Sequence, residues 1–291
     1  MDKKIILVGT VSNVAKTIEK ELRVVCKALS VFEYVKIYLV ESDSTDNTVK
    51  ILENIKLANP NFDFTSLGAF KEKLPNRIQR IAHCRNYYVE YIRNKHQMSN
   101  FDYVAVADLD GMNFKLNKKG IESCFDLNIE WAGMMANQKF GYYDIYALRA
   151  PGWVESDCFN DLRKAKEFSV PPRLSKWSFL NFLIQFKYYD SFRKTYIYNH
   201  MKRINVKNDL IKVDSAFGGF AIYKPEVFLQ SLYGNSRSFE SEHVDFHKTV
   251  EKSEKAFYIN PKLINSGFNV YNSNKLLIVR FLRELKKFNK I

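Results

Sequence analysis

The sequence is poor in the features that brace or anchor most small secreted proteins. It has only four cysteines, Cys26, Cys84, Cys124 and Cys158, all widely separated and with no C-x-x-C pair. Neither a zinc knuckle nor a disulfide framework is implied, and a reducing, cytoplasmic setting fits. Glycine (11) and proline (7) are scarce, which excludes fibrous and low-complexity chains. No apolar run approaches the roughly 18 residues of a membrane span. The longest candidate, Trp177 to Phe186, is interrupted by Asn181 and Gln185. Ile5 to Val8 is too short an apolar run for a secretory leader and reads as a buried first strand. The turn after it, Gly9-Thr10-Val11-Ser12-Asn13, has one glycine, where a sugar nucleotidyltransferase would be expected to carry a Gly-rich phosphate loop. No internal repeat is visible.

What is present is a 291-residue chain with 46% hydrophobic and 15% aromatic residues, enough to bury a sizeable core as a single large α/β domain. The net charge of +13 is concentrated. Between Arg163 and Lys212 there are 12 Lys/Arg against three acids, and from Lys275 to Ile291 six against one. The first of these segments mixes its cations with Trp177, Tyr188, Tyr189, Tyr196 and Tyr198, as a base-stacking surface would. The charge is not spread over the fold and no nucleic-acid motif accompanies it, so no nucleic-acid partner is expected.

The first 110 residues alternate in βα fashion. Apolar runs over Lys4–Thr10, Val35–Val40, Asp63–Leu67 and Phe101–Ala107 read as strands. Val14–Ala28, Thr48–Ile55 and Arg77–Asn94 read as helices, with Ser44, Thr45 or Asp46 available to cap the second. That alternation predicts a mostly parallel sheet with crossover helices. Trp131–Ala136 and Phe217–Tyr223 read as later strands. Residues 155–212 read as a basic, aromatic, partly helical insertion, with Pro171-Pro172 as its clearest break.

Three polar constellations fall at strand ends or on the long helix. Asp108-x-Asp110 follows the run Tyr103–Ala107, and ligands of open parallel sheets bind outside the carboxyl ends of strands. Two carboxylates one residue apart can reach one Mg²⁺ or Mn²⁺, whose remaining positions suit phosphate oxygens; a solvated turn is the plain alternative. Glu41-Ser-Asp43-Ser-Thr-Asp46 ends the second strand, where an acid can bind a nucleoside or simply cap a helix. Arg77 and Arg80 share a helix face, and Arg85 falls broadly on the same side, as diphosphate-binding guanidinium groups or as a solvated face. Further on, Glu240-Ser-Glu242-His243-Val-Asp245-Phe-His247 gathers acids and imidazoles.

These features, in this order, resemble glycosyltransferases of the GT-A fold. Glu41-Ser-Asp-Ser-Thr-Asp-Asn-Thr48, Arg80-Ile-Ala-His-Cys-Arg-Asn86 and Ala107-Asp-Leu-Asp-Gly111 are similar to the capsule α-1,3-mannosyltransferase group (glycosyltransferase family 69) and its bacterial relatives. Tyr142–Arg149 and Phe217–Tyr223 fit the same pattern, and the resemblance covers roughly residues 4–265. It implies a Rossmann-like GT-A domain over 1–272, with a nucleotide-binding half (1–112) and an acceptor half (113–272). The implied reaction is metal-dependent transfer of a hexose from GDP-mannose or a UDP-sugar to a glycan hydroxyl, in capsule or surface-polysaccharide synthesis.

The resemblance also assigns roles. Asp108 and Asp110, with His243 or His247, would hold Mn²⁺ or Mg²⁺. Thr10, Val11, Ser12, Glu41, Asp43, Arg77, Arg80, Arg85 and Asp108 would bind the donor nucleotide. Gly218, Gly219 and Arg149 would meet the acceptor. Glu242, then Asp245, would be the base for an inverting reaction, with Asp144 close to the acceptor. The tail over 273–291 sets Ile278, Phe281, Leu282, Leu285 and Phe288 on one side and Arg280, Arg283, Lys287 and Lys290 mostly on the other. Such a basic amphipathic helix suits either an anionic membrane surface presenting a lipid-linked glycan, peripheral on the cytoplasmic face, or docking on the core.

Overall fold

The computed structural model describes residues 1–94, 101–170, 179–234, 240–250, 255–269 and 271–288; Pro171-Pro172 and Trp177 lie outside them. The fold grows outward from the first strand, β1 (Lys4–Val11), in which Ile5 to Val8 are fully buried. A strand covered on both faces needs apolar side chains at successive positions, which is why this run does not alternate. Helix α1 (Ile18–Leu29) follows, burying Ile18, Leu22, Val25 and Leu29 at helical spacing, and leads to β2 (Tyr34–Glu41). The N-cap of helix α2 (Thr48–Ala58) is Asn47, whose side chain makes no cap bond, rather than Ser44, Thr45 or Asp46; Asp46, one residue earlier, accepts from the Thr48 backbone N–H and hydroxyl. Next come β3 (Phe62–Ser66), α3 (Arg77–Asn94) and β4 (Tyr103–Ala107). The predicted bounds of α3 coincide with those found, its first turn capped by Asn76 Oδ1, which accepts from the N–H groups of Ile78 and Gln79.

The second half contains α4 (Lys118–Glu122), β5 (Trp131–Gln138), α5 (Cys158–Glu167), α6 (Phe179–Tyr196), β6 (Ile211–Val213) and β7 (Phe220–Tyr223). It closes with α7 (Glu226–Gln230), α8 (Glu242–Lys248), β8 (Ala256–Ser266) and α9 (Leu277–Phe288). The eight strands form one sheet in the order β3-β2-β1-β4-β7-β5-β8-β6. The first four pair parallel, β7 runs antiparallel between β4 and β5, β8 is parallel to β5, and β6 is antiparallel at the edge. This is the mixed, mostly parallel α/β architecture expected from the βα alternation. Successive residues of the same strands supply the two apolar layers: Ile6, Val8, Tyr38 and Val40 pack on one face, Ile5, Leu7, Ile37 and Leu39 on the other.

Two features depart from expectation. Gly218 and Gly219 precede β7 rather than lying within it, both at positive φ (+73° and +84°). β8 is not legible as a strand because Asn260, Pro261, Lys262 and Asn265 break its apolar run. Its register against β5 jumps from Met135–Ile259 to Asn137–Ile264, and the Asn137 side chain donates to the Pro261 carbonyl at 3.0 Å. A bulge bridged by a buried amide leaves no period to read.

Because the chain leaves β1 toward β2 on one side and returns through β4 on the other, the strand order reverses between β1 and β4. The carboxyl ends of those two strands flank the crevice where such sheets take ligands.

Candidate active site

At the end of β4 the chain turns through Asp108-Leu109-Asp110-Gly111. The Asp108 N–H donates to the Gly219 carbonyl (3.0 Å), Leu109 is buried, and Gly111 takes φ +100°. The turn is held from beneath by Glu21, an acid on the buried face of α1. Its carboxylate accepts from the N–H groups of Gly111 (2.6 Å) and Asn113 (2.8 Å) and from the Asn113 amide (3.1 Å). Burial pushes the Glu21 carboxyl up from 4.5 to about 7 against those donors.

From the side the turn is held by Arg85 of α3. Its guanidinium reaches Asp108 Oδ1 (2.9 Å) and lies 3.2 Å from Glu242 Oε1, so one buried cation sits between two acids on different elements. The Phe217 and Tyr233 rings lie 5.1 and 5.3 Å from it. Arg85 was expected to face a diphosphate together with Arg77 and Arg80. The structure instead occupies it with Asp108 and Glu242, because α3 delivers position 85 into the core. Burial also raises the Glu242 carboxyl, opposed by Arg85. Asp110 is pushed up to about 6 by burial and then by the Asp108 charge, with the Tyr271 hydroxyl 3.4 Å away.

The loops after β1 and β2 are tied together. Asn13, at φ +54°, accepts from the Thr45 N–H (2.9 Å), and its own N–H donates to Ser44 Oγ (3.0 Å). Glu41, expected near a nucleoside, is instead buried beneath its turn, accepting from the Ser44 N–H (2.9 Å) and the Ser66 hydroxyl. It shapes the turn that presents Asp43, which sits at φ +60° and pairs with Arg80 Nε at 3.1 Å. Arg80 also donates to the Leu74 and Pro75 carbonyls.

Together these elements line a cleft of about 1180 Å³. Thr10, Val11, Ser12, Asp43, Arg77, Arg80, Arg85, Asp108 and Asp110 all line it, with Arg77 exposed at the rim. Asp144 and Glu242 line it too. Asp144 accepts from the Gly218 N–H at 2.9 Å, and burial pushes its carboxyl up to about 6. Residues that sequence reasoning missed complete the site. Tyr143 and Tyr271 stack at 5.1 Å, and Tyr146 meets Phe159 edge-on at the same distance. Arg163, Arg193 and Tyr198 of the basic insertion line the cleft as well. The one sequence signal for Glu21 was a charged residue in the apolar series Ile18, Leu22, Val25; Tyr143 and Tyr146 lie in the Tyr142–Arg149 motif and Tyr198 in the basic aromatic segment, but Tyr271 carried no signal.

Other expected site residues are placed elsewhere. Gly218 and Gly219 do not line the cleft: a Cβ on Gly218 would lie 2.6 Å from the Ala136 carbonyl, and one on Gly219 2.8 Å from the Tyr143 hydroxyl. Their bareness lets protein, rather than sugar, approach. Arg149 is spent on Glu240 (3.0 Å) and on the Tyr146 and Leu148 carbonyls. Asp245 lies outside the cleft, over Gly234 and 3.5 Å from Lys248 Nζ. His247 is a core residue bonded to Ser215 (2.9 Å) and Tyr223 (3.1 Å), and burial pushes it down to about 3. His243 reaches the cleft wall, stacked on Phe217 at 4.0 Å and held neutral by burial, with both ring nitrogens unpaired.

Among the described residues no group of three or more His, Cys, Asp or Glu comes together, so His243 does not join Asp108 and Asp110 in a cluster. The donor set that remains fits a hard divalent ion all the same. Two carboxylates on one turn, opening on a large cleft, leave most of an octahedral shell to water and substrate oxygens, as Mg²⁺ and Mn²⁺ prefer.

No protein-family profile matches the chain, and no curated protein matches it in sequence. Among solved structures it is similar to the mannosyltransferase PcManGT from Pyrobaculum calidifontis in complex with GDP-Man and Mn²⁺, at 12% identity and a TM-score of 0.49, over 99% of this chain and 63% of that one. It is also similar to S. aureus TarS 1–349, at 12% identity and a TM-score of 0.46, over 98% of this chain and 64% of that one. The TarS complex with UDP matches at 11% identity and a TM-score of 0.46, over 98% and 64%. The chain thus spans slightly less than two thirds of the length of each of these.

Proposed function

We propose that this chain is a metal-dependent glycosyltransferase of the GT-A type. It moves a hexose from a nucleotide diphosphate sugar, GDP-mannose or a UDP-sugar, to a hydroxyl of a glycan or lipid-linked glycan in surface-polysaccharide synthesis. The observation that carries the reading is the Asp108-Leu-Asp110 turn, clamped by Glu21 and Arg85 at the strand-order reversal, with Glu242 on the same guanidinium and a cleft of about 1180 Å³ opening beside them. Retention of its motifs in the GT-A order supports it.

Asp108 and Asp110 would hold Mn²⁺ or Mg²⁺, which when bound supplies positive charge to the departing diphosphate. Ser12, Asp43 and Arg77, which line the cleft, would bind the nucleotide and its phosphates. Arg85 acts through others: it fixes Asp108 and keeps Glu242 from ionising unpaired in a buried wall. Glu242 and Asp144 would take or position the acceptor hydroxyl proton; burial raises both carboxyls, Asp144 to about 6. The Tyr143–Tyr271 pair and Tyr146 offer aromatic faces for sugar rings.

The test is a thermal-shift panel of UDP- and GDP-sugars with and without Mn²⁺. One nucleotide should raise the melting temperature only with metal, by the mass action of a ligand that binds the native state. The shift should vanish in Asp110→Ala while the unliganded fold melts unchanged; a metal-responsive, fully active Asp110→Ala would refute the assignment.

A further inference from the structure

Helix α9 is docked in the inverse of the usual sense. Arg280 points into the protein and is almost fully buried, pairing through two nitrogens with Asp190 of α6 and capping the Asn274 and Lys275 carbonyls, with the Tyr198 ring 4.4 Å away. One turn on, Glu284 receives Arg193 at 3.1 Å. The helix is thus fastened to α6 by its charged residues, with Phe281 against Phe182 and Phe186 the apolar part of the seam. The apolar residues that a docked helix would turn inward face out instead: Leu277 is 58% exposed, Ile278 60% and Leu282 48%. Phe179 and Leu180, at the start of α6, are 52% and 56% exposed, and Phe179 stacks on the Phe182 that touches Phe281. The two exposed sets thus sit on helices joined through that aromatic contact.

Water-facing apolar residues on adjoining helices call for an occupant, and the charge distribution selects one. The two stretches of sequence that include α6 and α9, Arg163–Lys212 and Lys275–Ile291, hold the whole excess of positive charge. An anionic lipid surface satisfies both parts of that pattern: apolar side chains enter the boundary between headgroups and acyl chains, and the surrounding Lys and Arg meet lipid phosphates. No helix among the described residues is long and apolar enough to cross a membrane, which leaves seating on the surface. We propose that the α6–α9 face seats the protein on an anionic bilayer. Arg193 and Tyr198 belong to the first segment, Asn274 directly precedes the second, and all three line the cleft, so the cleft opens beside the seated face. The seat does not depend on the transfer reaction, and the two fail separately: a metal-dependent donor shift without vesicle binding would overturn the seat alone.

The test is co-sedimentation of the full chain with phosphatidylcholine vesicles, alone or containing phosphatidylglycerol, at about 100 and about 500 mM salt. Binding should require the anionic lipid and weaken in high salt. Ile278→Asn with Leu282→Asn should reduce it by about tenfold or more at an unchanged melting temperature. If that pair melts early, Lys286→Glu, on an exposed position, should lower binding to the anionic vesicles severalfold. Absence of wild-type binding to either vesicle would overturn the seat. So would undiminished binding by the folded double variant, or a concentration-dependent dimer that the variant abolishes, since a second copy of the chain would then be the occupant.

Discussion

Glu21 offers the sharpest test of how the Asp108–Asp110 turn is held. It has no exposed surface, and its carboxyl is displaced from 4.5 to about 7 because burial disfavours the charged form more than three N–H donors favour it. The native state therefore holds this proton more tightly than the unfolded chain does. The stability it contributes is complete below pH 4.5, declines as pH rises toward 7, and is lost above that. Each pH unit in that interval is worth about 1.4 kcal/mol, so the whole interval carries about 3 kcal/mol. Glu21→Gln removes the ionisation. Its amide oxygen can still accept from Asn113, while the Gly111 N–H faces a nitrogen, a defect of about 1–3 kcal/mol at every pH. Urea denaturation of wild type and variant from pH 4.5 to 8, followed by tryptophan fluorescence, reads Glu21 together with its charge coupling to Asp110, because titrations that do not sense Glu21 cancel in the difference. The variant should be clearly weaker than wild type at the acid end and should gain on it by about 3 kcal/mol by pH 8. A difference independent of pH would refute the argument.

Arg85→Met should destabilise the fold by about 3–5 kcal/mol by leaving Asp108 and Glu242 without their shared cation, read as a lower urea midpoint. Arg85→Lys should recover only part of that loss, since an ammonium cannot address both acids as the planar fork does. Gly218→Ala should cost more than about 1 kcal/mol in the same assay, from positive φ and the 2.6 Å approach to the Ala136 carbonyl together. Glu242→Gln should leave donor-induced melting shifts intact and depress turnover in a coupled nucleotide-release assay by 10²-fold or more, to about 10⁴-fold; full turnover would return the proton to Asp144.

The first half of the sheet was legible because its signals are local. Ile5–Val8 is apolar at every position, α3 repeats its buried face at helical spacing, and Asp108 and Asp110 follow a strand directly. The same locality explains the errors. Arg85 and Glu41 have the residue types of ligand-binding groups, yet each is occupied by partners 23 to 157 positions away or by its own turn, which no window of sequence reports. His243 and His247 look equivalent in the chain, but packing buries one against Ser215 and Tyr223 and leaves the other unpaired at the cleft wall.

The amino-acid sequence by itself determined the βα order, the turn acids and the placement of excess charge, because those follow from periodicity and composition. Which acids face the cleft, that Glu21 supports the turn, and that α9 directs Arg280 inward and Leu282 outward were decided by tertiary structure. A helix with charge on one side and apolar residues on the other carries no record of which side will find a partner. Asp190 and Asn274, brought alongside by the fold, settled that choice by pairing the charge.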